Sequence, residues 1–155
     1  QFRLTVVNVH APTLPVQGFF DNLSQNVAQL QQAGWTTIVA GNFNLGRLLQ
    51  DRSKNRTNAN ITACTDELNG LIYTNSLVDM ETCLAPPADN ETDCYTFRHG
   101  MSKHRYWTSR INYIIVLSEL LGHPNSSYSM IPHNNSDHKS LMVVLVLPSE
   151  APPQT

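Results

Sequence analysis

An α/β domain is what this sequence predicts. Three observations carry it: strand, helix and strand patterns in turn over residues 3–40, a second helical pattern over residues 62–73, and strand-like segments from Tyr95 onward. At 155 residues the chain forms one domain, because two would each hold too little apolar area to offset chain entropy. Hydrophobic residues make up 41% and charged residues 14%, which excludes a disordered acidic chain.

The first strand alternates, with Leu4, Val6 and Asn8 on one side and Thr5, Val7 and Val9 on the other. Pro12 and Pro15 end it, since proline cannot donate to a ladder. A helix is expected over residues 18–33, with Phe19, Phe20, Leu23, Val27 and Leu30 on one face and Gly34 as its stop. Residues 35–40 read as a buried strand that runs into Gly41-Asn42-Phe43-Asn44. Residues 45–60 are polar and irregular. The helix over 62–73 turns Leu68, Leu71 and Ile72 inward, and Pro86 and Pro87 mark a loop. Strands are then expected over 95–98, 109–117, 128–131 and 139–147, so the domain spans residues 1–147 and a proline-rich tail follows over 148–155. The longest apolar run, Leu141 to Leu147, is far short of the roughly 18 residues of a spanning helix, so no membrane partner is expected. The first twelve residues do not resemble a signal peptide, and localisation cannot be read from a leader.

A formal charge of −2 does not announce a nucleic-acid binder, so charge must be read locally. Residues 98–110 contain Arg98, Lys103, Arg105 and Arg110 with two histidines, Tyr106 and Trp107, and no acid. Such a segment can grip phosphates and stack on bases, although a solvated basic hairpin would look the same. Cys64, Cys83 and Cys94 form an odd set without a C-x-x-C pair, which argues against zinc and leaves room for one disulfide among them. Asn-x-Ser/Thr sequons at Asn22, Asn55, Asn60, Asn90, Asn125 and Asn134 would suit a secreted glycoprotein.

Small polar and ionisable groups close several apolar strands: Asn42 and Asn44, then Ser109-Arg110-Ile111-Asn112, then Ser136-Asp137-His138. Each alone has an ordinary reading as a turn or a surface pair. In order, Val7-Asn8-Val9-His10-Ala11-Pro12, Gly41-Asn42-Phe43-Asn44, Tyr95-Thr96-Phe97, Ser109-Arg110-Ile111-Asn112 and Ser136-Asp137-His138 resemble the endonuclease/exonuclease/phosphatase superfamily. The likeness extends to the endonuclease domains of LINE-type (non-LTR) retrotransposons, particularly fungal ones, through Asp51-Arg52-Ser53.

That resemblance implies a four-layered α/β sandwich of which this chain carries the later part. It implies an Mg²⁺-dependent nucleic-acid phosphodiesterase with Asn42, Asn44, Asn112, Asp137 and His138 in the catalytic site, converging at one end of the sandwich. It implies nucleic-acid contacts from His10, Thr96, Arg98, Lys103, Arg105, Trp107, Arg110 and Ser136, with DNA ahead of RNA. Two departures stand out: the family's Gly-Asp-Phe-Asn is here Gly-Asn-Phe-Asn, and its Ser-Arg-Ile-Asp is here Ser-Arg-Ile-Asn. The family's first-half Asn and Glu that hold Mg²⁺ have no counterpart in this chain, so Asp137 is left as a weak magnesium ligand. An unpaired sheet edge would then need a dimer partner or second chain to cover it. The competing expectation is a catalytically inactive remnant, binding nucleic acid or protein, and secreted if the sequons are used.

Overall fold

The computed structural model describes residues 2–48, 51, 58–84, 95–102, 105–122, 125–132 and 136–147. Four strands, β1 (Leu4–His10), β2 (Thr36–Asn42), β3 (Leu77–Asp79) and β6 (Asn112–Leu117), make one sheet in the order β1-β2-β6-β3. β1 and β2 run parallel, joined through helix α1 (Phe19–Gln32), whereas β6 is antiparallel to both β2 and β3. Helix α2 (Ala59–Thr74) precedes β3, and the short helix α3 (Met80–Leu84) follows it. β4 (Phe97–Ser102) and β5 (Arg105–Ser109) pair as a hairpin, and β7 (Ser127–Ile131) and β8 (Ser140–Val144) form a second antiparallel pair.

Helix boundaries follow local chemistry. Gly34, at φ +82°, stops α1, and Asn58 caps α2 by accepting from the Ile61 N–H at 2.9 Å. Gly41 is required: with φ +141°, a Cβ there would collide with the carbonyl oxygen of Val9 on β1.

The main sheet buries both faces. Val7, Val9, Val39, Tyr113, Ile115 and Leu77 pack on Phe20 and Val27 of α1 and on Cys64, Leu68 and Leu71 of α2. The opposite face presents Ile38, Val78, Ile114 and Val116 to Tyr128, Met130, Leu141 and Val143 of β7 and β8. The described residues therefore stack as helices, sheet and second sheet. At the β1 edge this second face is uncovered, and Val6 is 61% exposed. Among the described residues, no helix is long and apolar enough to cross a membrane.

Both long helices and strands β1, β2, β7 and β8 appear where the periodicity places them, whereas β4 begins two residues beyond the expected start and β5 was not expected. The strand expected over 109–117 begins instead at Asn112, as β6, while Ser109 closes β5. The reason is that the intervening N–H groups leave the ladder, that of Arg110 going to the Asp51 carbonyl and that of Ile111 to Thr96 Oγ1. β3 and α3 went unread because three strand residues carry too little pattern. Cys64 and Cys83 are free thiols, so they are not paired; Cys94 and the tail over 148–155 lie outside the described residues.

Candidate active site

The pleat places Asn42 and Asn112 side by side. They are register partners across β2 and β6, and on the alternation of Ile38, Ala40 and Asn42 both face the second sheet. His10 is the register partner of Asn42 on β1, so the polar ends of three neighbouring strands meet at one corner of the sandwich. Beyond β2 the chain turns sharply. The Asn44 N–H donates to Asn42 Oδ1 at 2.9 Å, and Asn44 adopts φ +50°, which asparagine tolerates better than most residues. Asn44 Nδ2 donates to the Ala11 carbonyl at 2.6 Å, fixing its amide against the end of β1.

His138 completes the corner. Its Nδ1 lies 3.1 Å from Asn112 Nδ2, and its ring packs on Phe97 with centroids 4.7 Å apart. An amide nitrogen can only donate, so Nδ1 accepts and the proton of the neutral ring sits on Nε2. The backbone around it is pinned: the His138 N–H donates to Ser136 Oγ at 3.0 Å, and the Arg98 N–H donates to the Asp137 carbonyl at 2.8 Å. Asn42, Asn44, Asn112 and His138 are thus brought together by direct bonds and pairing. Asp137 and Ser136 join through the chain, and both are exposed.

Two residues expected to touch nucleic acid do something else. Thr96 is fully buried, and its Oγ1 accepts the N–H groups of Ile111 and Asn112 at 3.0 and 3.1 Å. Arg110 has 3% of its side chain exposed and forms ion pairs with Asp79, Glu81 and Asp51, stacking its guanidinium over the Tyr113 ring at 4.5 Å. A cation so enclosed cannot reach a phosphate, so it leaves the expected basic strip. Arg98 is exposed, while the side chains of Lys103, Arg105 and Trp107 lie outside the described residues.

The cluster around Arg110 was not legible in advance. Arg47 also reaches Asp79, at 3.2 Å, and Tyr128 on β7 donates to Glu81 at 3.2 Å, so the network ties the main sheet to the second one. Three carboxylates face two guanidiniums. Burial pushes the Glu81 carboxyl up, and its neighbours Asp79 and Asp51 add to the rise against the pull of Arg110. Burial opposes the charge on Arg110, but Asp79 and Glu81 outweigh it and hold the guanidinium firmly protonated. Burial, then the Asp51 charge, lifts the Tyr113 hydroxyl well above its ordinary range.

Among the described residues, this corner offers a magnesium ion one carboxylate, that of Asp137. Magnesium takes hard oxygen ligands, usually including one or two carboxylates. Asn42, Asn44 and Asn112 are neutral amides, Asn42 Oδ1 is already engaged, and Asp137 is the one carboxylate in this set. Among the described residues, no cluster of three or more His, Cys, Asp or Glu side chains is placed to hold a metal ion.

No protein-family model matches the chain. Solved structures do. The endonuclease domain of TRAS1, a telomere-specific non-LTR retrotransposon, superposes with a TM-score of 0.59 at 14% identity, over 92% of this chain and 56% of its own. The catalytic domain of Xenopus laevis APE2 gives 0.66 at 19% identity, over 97% and 53%. The 3′ phosphatase NExo from Neisseria, bound to a product DNA hairpin, gives 0.67 at 15% identity, over 92% and 61%. At these identities the likeness is one of fold, and the chain spans little more than half the length of each. The arrangement of helices, mixed sheet and second sheet, with polar strand ends at one corner, is therefore the α/β sandwich fold of the endonuclease/exonuclease/phosphatase type.

Proposed function

We propose that this corner binds a nucleic-acid phosphodiester, with DNA ahead of RNA, and hydrolyses it slowly at best. The observation that carries this reading is the Asn112–His138 pair, set beside Asn42 and Asn44 at strand ends of a fold shared with enzymes named for endonuclease and phosphatase action. Side-chain amides and an Nε2–H imidazole are hydrogen-bond donors, suited to phosphate oxygens and to the charge that builds on them as water attacks phosphorus. Proton removal is the weak step. An amide cannot accept a proton from water at neutral pH, and an Nε2 that already bears hydrogen cannot act as base. Mg²⁺ bound at Asp137 would supply charge neutralisation, but a single carboxylate favours weak binding.

A second reading is favoured by those same amides: a module that binds nucleic acid without cleaving it. Both are tested together. Labelled duplex DNA should bind at low salt, with Asn44→Ala and His138→Ala each weakening binding, and a plasmid-nicking assay with an EDTA control then separates slow chemistry from none. Unchanged binding in both variants would remove this corner from the interface.

A further inference from the structure

Deepening the reading above, on which it rests, we propose that Thr96 is a positioning residue that sets the Asn112–His138 pair. The two partners come from separate parts of the chain, 26 residues apart, and have no common strand. Thr96 is bonded to both parts. Its buried Oγ1 accepts the N–H groups of Ile111 and Asn112, where β6 starts, and its carbonyl accepts the Lys139 N–H at 2.8 Å, one residue beyond His138. The two residues after it continue the splint: Phe97 forms an isolated bridge with His138 and packs against its ring, and the Arg98 N–H holds the Asp137 carbonyl.

The hydroxyl is the necessary part. Arg110 and Ile111 separate β5 from β6, Asn112 opens β6, and one oxygen takes the N–H groups of Ile111 and Asn112 through its two lone pairs. Replacing it with an apolar group of the same shape leaves one buried and one half-buried donor without this acceptor, and the segment must move to satisfy them. Asn112 is in that segment. A shift of an ångström there breaks a 3.1 Å hydrogen bond and frees the His138 ring to exchange tautomers.

The test reads the imidazole directly. In the parent chain, ¹⁵N spectra of His138 at alkaline pH should show one dominant neutral tautomer, with hydrogen on Nε2. Thr96→Val should collapse the separation between the two ring nitrogens toward the tautomer average, Thr96→Ser should preserve it, and Thr37→Val, a control at another fully buried threonine, should leave it unchanged. If Thr96→Val does not fold, Thr96→Cys, whose sulfur is a weak acceptor, is read in its place. Hydrogen exchange on the parent is the check that needs no variant: the Ile111 and Asn112 amides should be protected. A folded Thr96→Val variant with parent-like His138 nitrogens, or rapid exchange at those two amides, overturns the proposal. Neither readout depends on DNA, so a chain that fails to bind or cleave DNA would sink the functional reading and leave this one standing.

Discussion

Asn112 Nδ2 stands 3.1 Å from His138 Nδ1, and that one contact assigns the ring proton to Nε2. An aspartate in the same place would do the reverse, accepting from an Nδ1–H and leaving Nε2 free to take a proton or steadying the ring in its charged form. A single atom in residue 112 therefore separates a donor histidine from a basic one.

Restoring both carboxylates should uncover catalysis. Asn42 Oδ1 serves as an acceptor for the Asn44 N–H, a role that a carboxylate oxygen would keep, so Asn42→Asp preserves the turn. The Asn42→Asp, Asn112→Asp double variant should raise Mg²⁺-dependent plasmid cleavage on the order of 10²-fold or more, the range of general acid–base catalysis. Adding His138→Ala should abolish the gain, and the single reversions should be non-additive because they act on one phosphate. A double variant that stays inert with added Mg²⁺ would favour binding without chemistry.

Arg110 should matter for stability and not for DNA contact. Arg110→Met leaves Asp79, Glu81 and Asp51 buried without their central cation. Breaking a buried ion pair from one side costs about 3–5 kcal/mol, so urea unfolding should show a large drop in midpoint. A change within about 0.5 kcal/mol would mean that the cluster is solvated after all.

The same cluster sets a pH dependence. The Glu81 carboxyl is raised above its ordinary 4.5, so the folded state holds its proton more tightly than the unfolded chain. Its contribution is fully present below 4.5 and is lost as pH rises through the folded value. In urea titrations the parent should lose stability over that interval, and Glu81→Gln should lack that component of the loss. Parallel profiles for the two proteins would contradict the assignment.

For the basic hairpin, the expectation rests on sequence, because Lys103 and Arg105 lie outside the described side chains. Replacing both with Gln should weaken DNA binding and reduce the salt slope by roughly 0.9 for each duplex phosphate that is no longer neutralised. An unchanged slope would take the hairpin out of the interface.

Much of the fold was legible because its elements are long and periodic. Phe20 and Val27 of α1, Leu68 and Leu71 of α2, and Val7 and Val9 of β1 face the core as their spacing predicts. The site was legible as a set of strand ends, since a pleat with Asn42 opposite Asn112 leaves little freedom. Arg110 and Thr96 were misread for one reason: their partners are distant in the chain. Arg110 looks unopposed within residues 98–110, yet Asp79 is 31 residues earlier. Thr96 looks like a strand residue, and its bonds run to Ile111 and Asn112, 15 and 16 residues further along the chain.

The most direct measurement is an NMR titration of this chain with a short DNA duplex at low salt, following the His138 ring and the side-chain amides of Asn42, Asn44 and Asn112. If the corner holds a phosphodiester, these four residues shift together and saturably, and Gln31, whose amide is bound to the Asn75 carbonyl on the helical side, does not. If DNA binds and the four stay fixed while resonances elsewhere move, or if no resonance moves at all, the corner is not the nucleic-acid site.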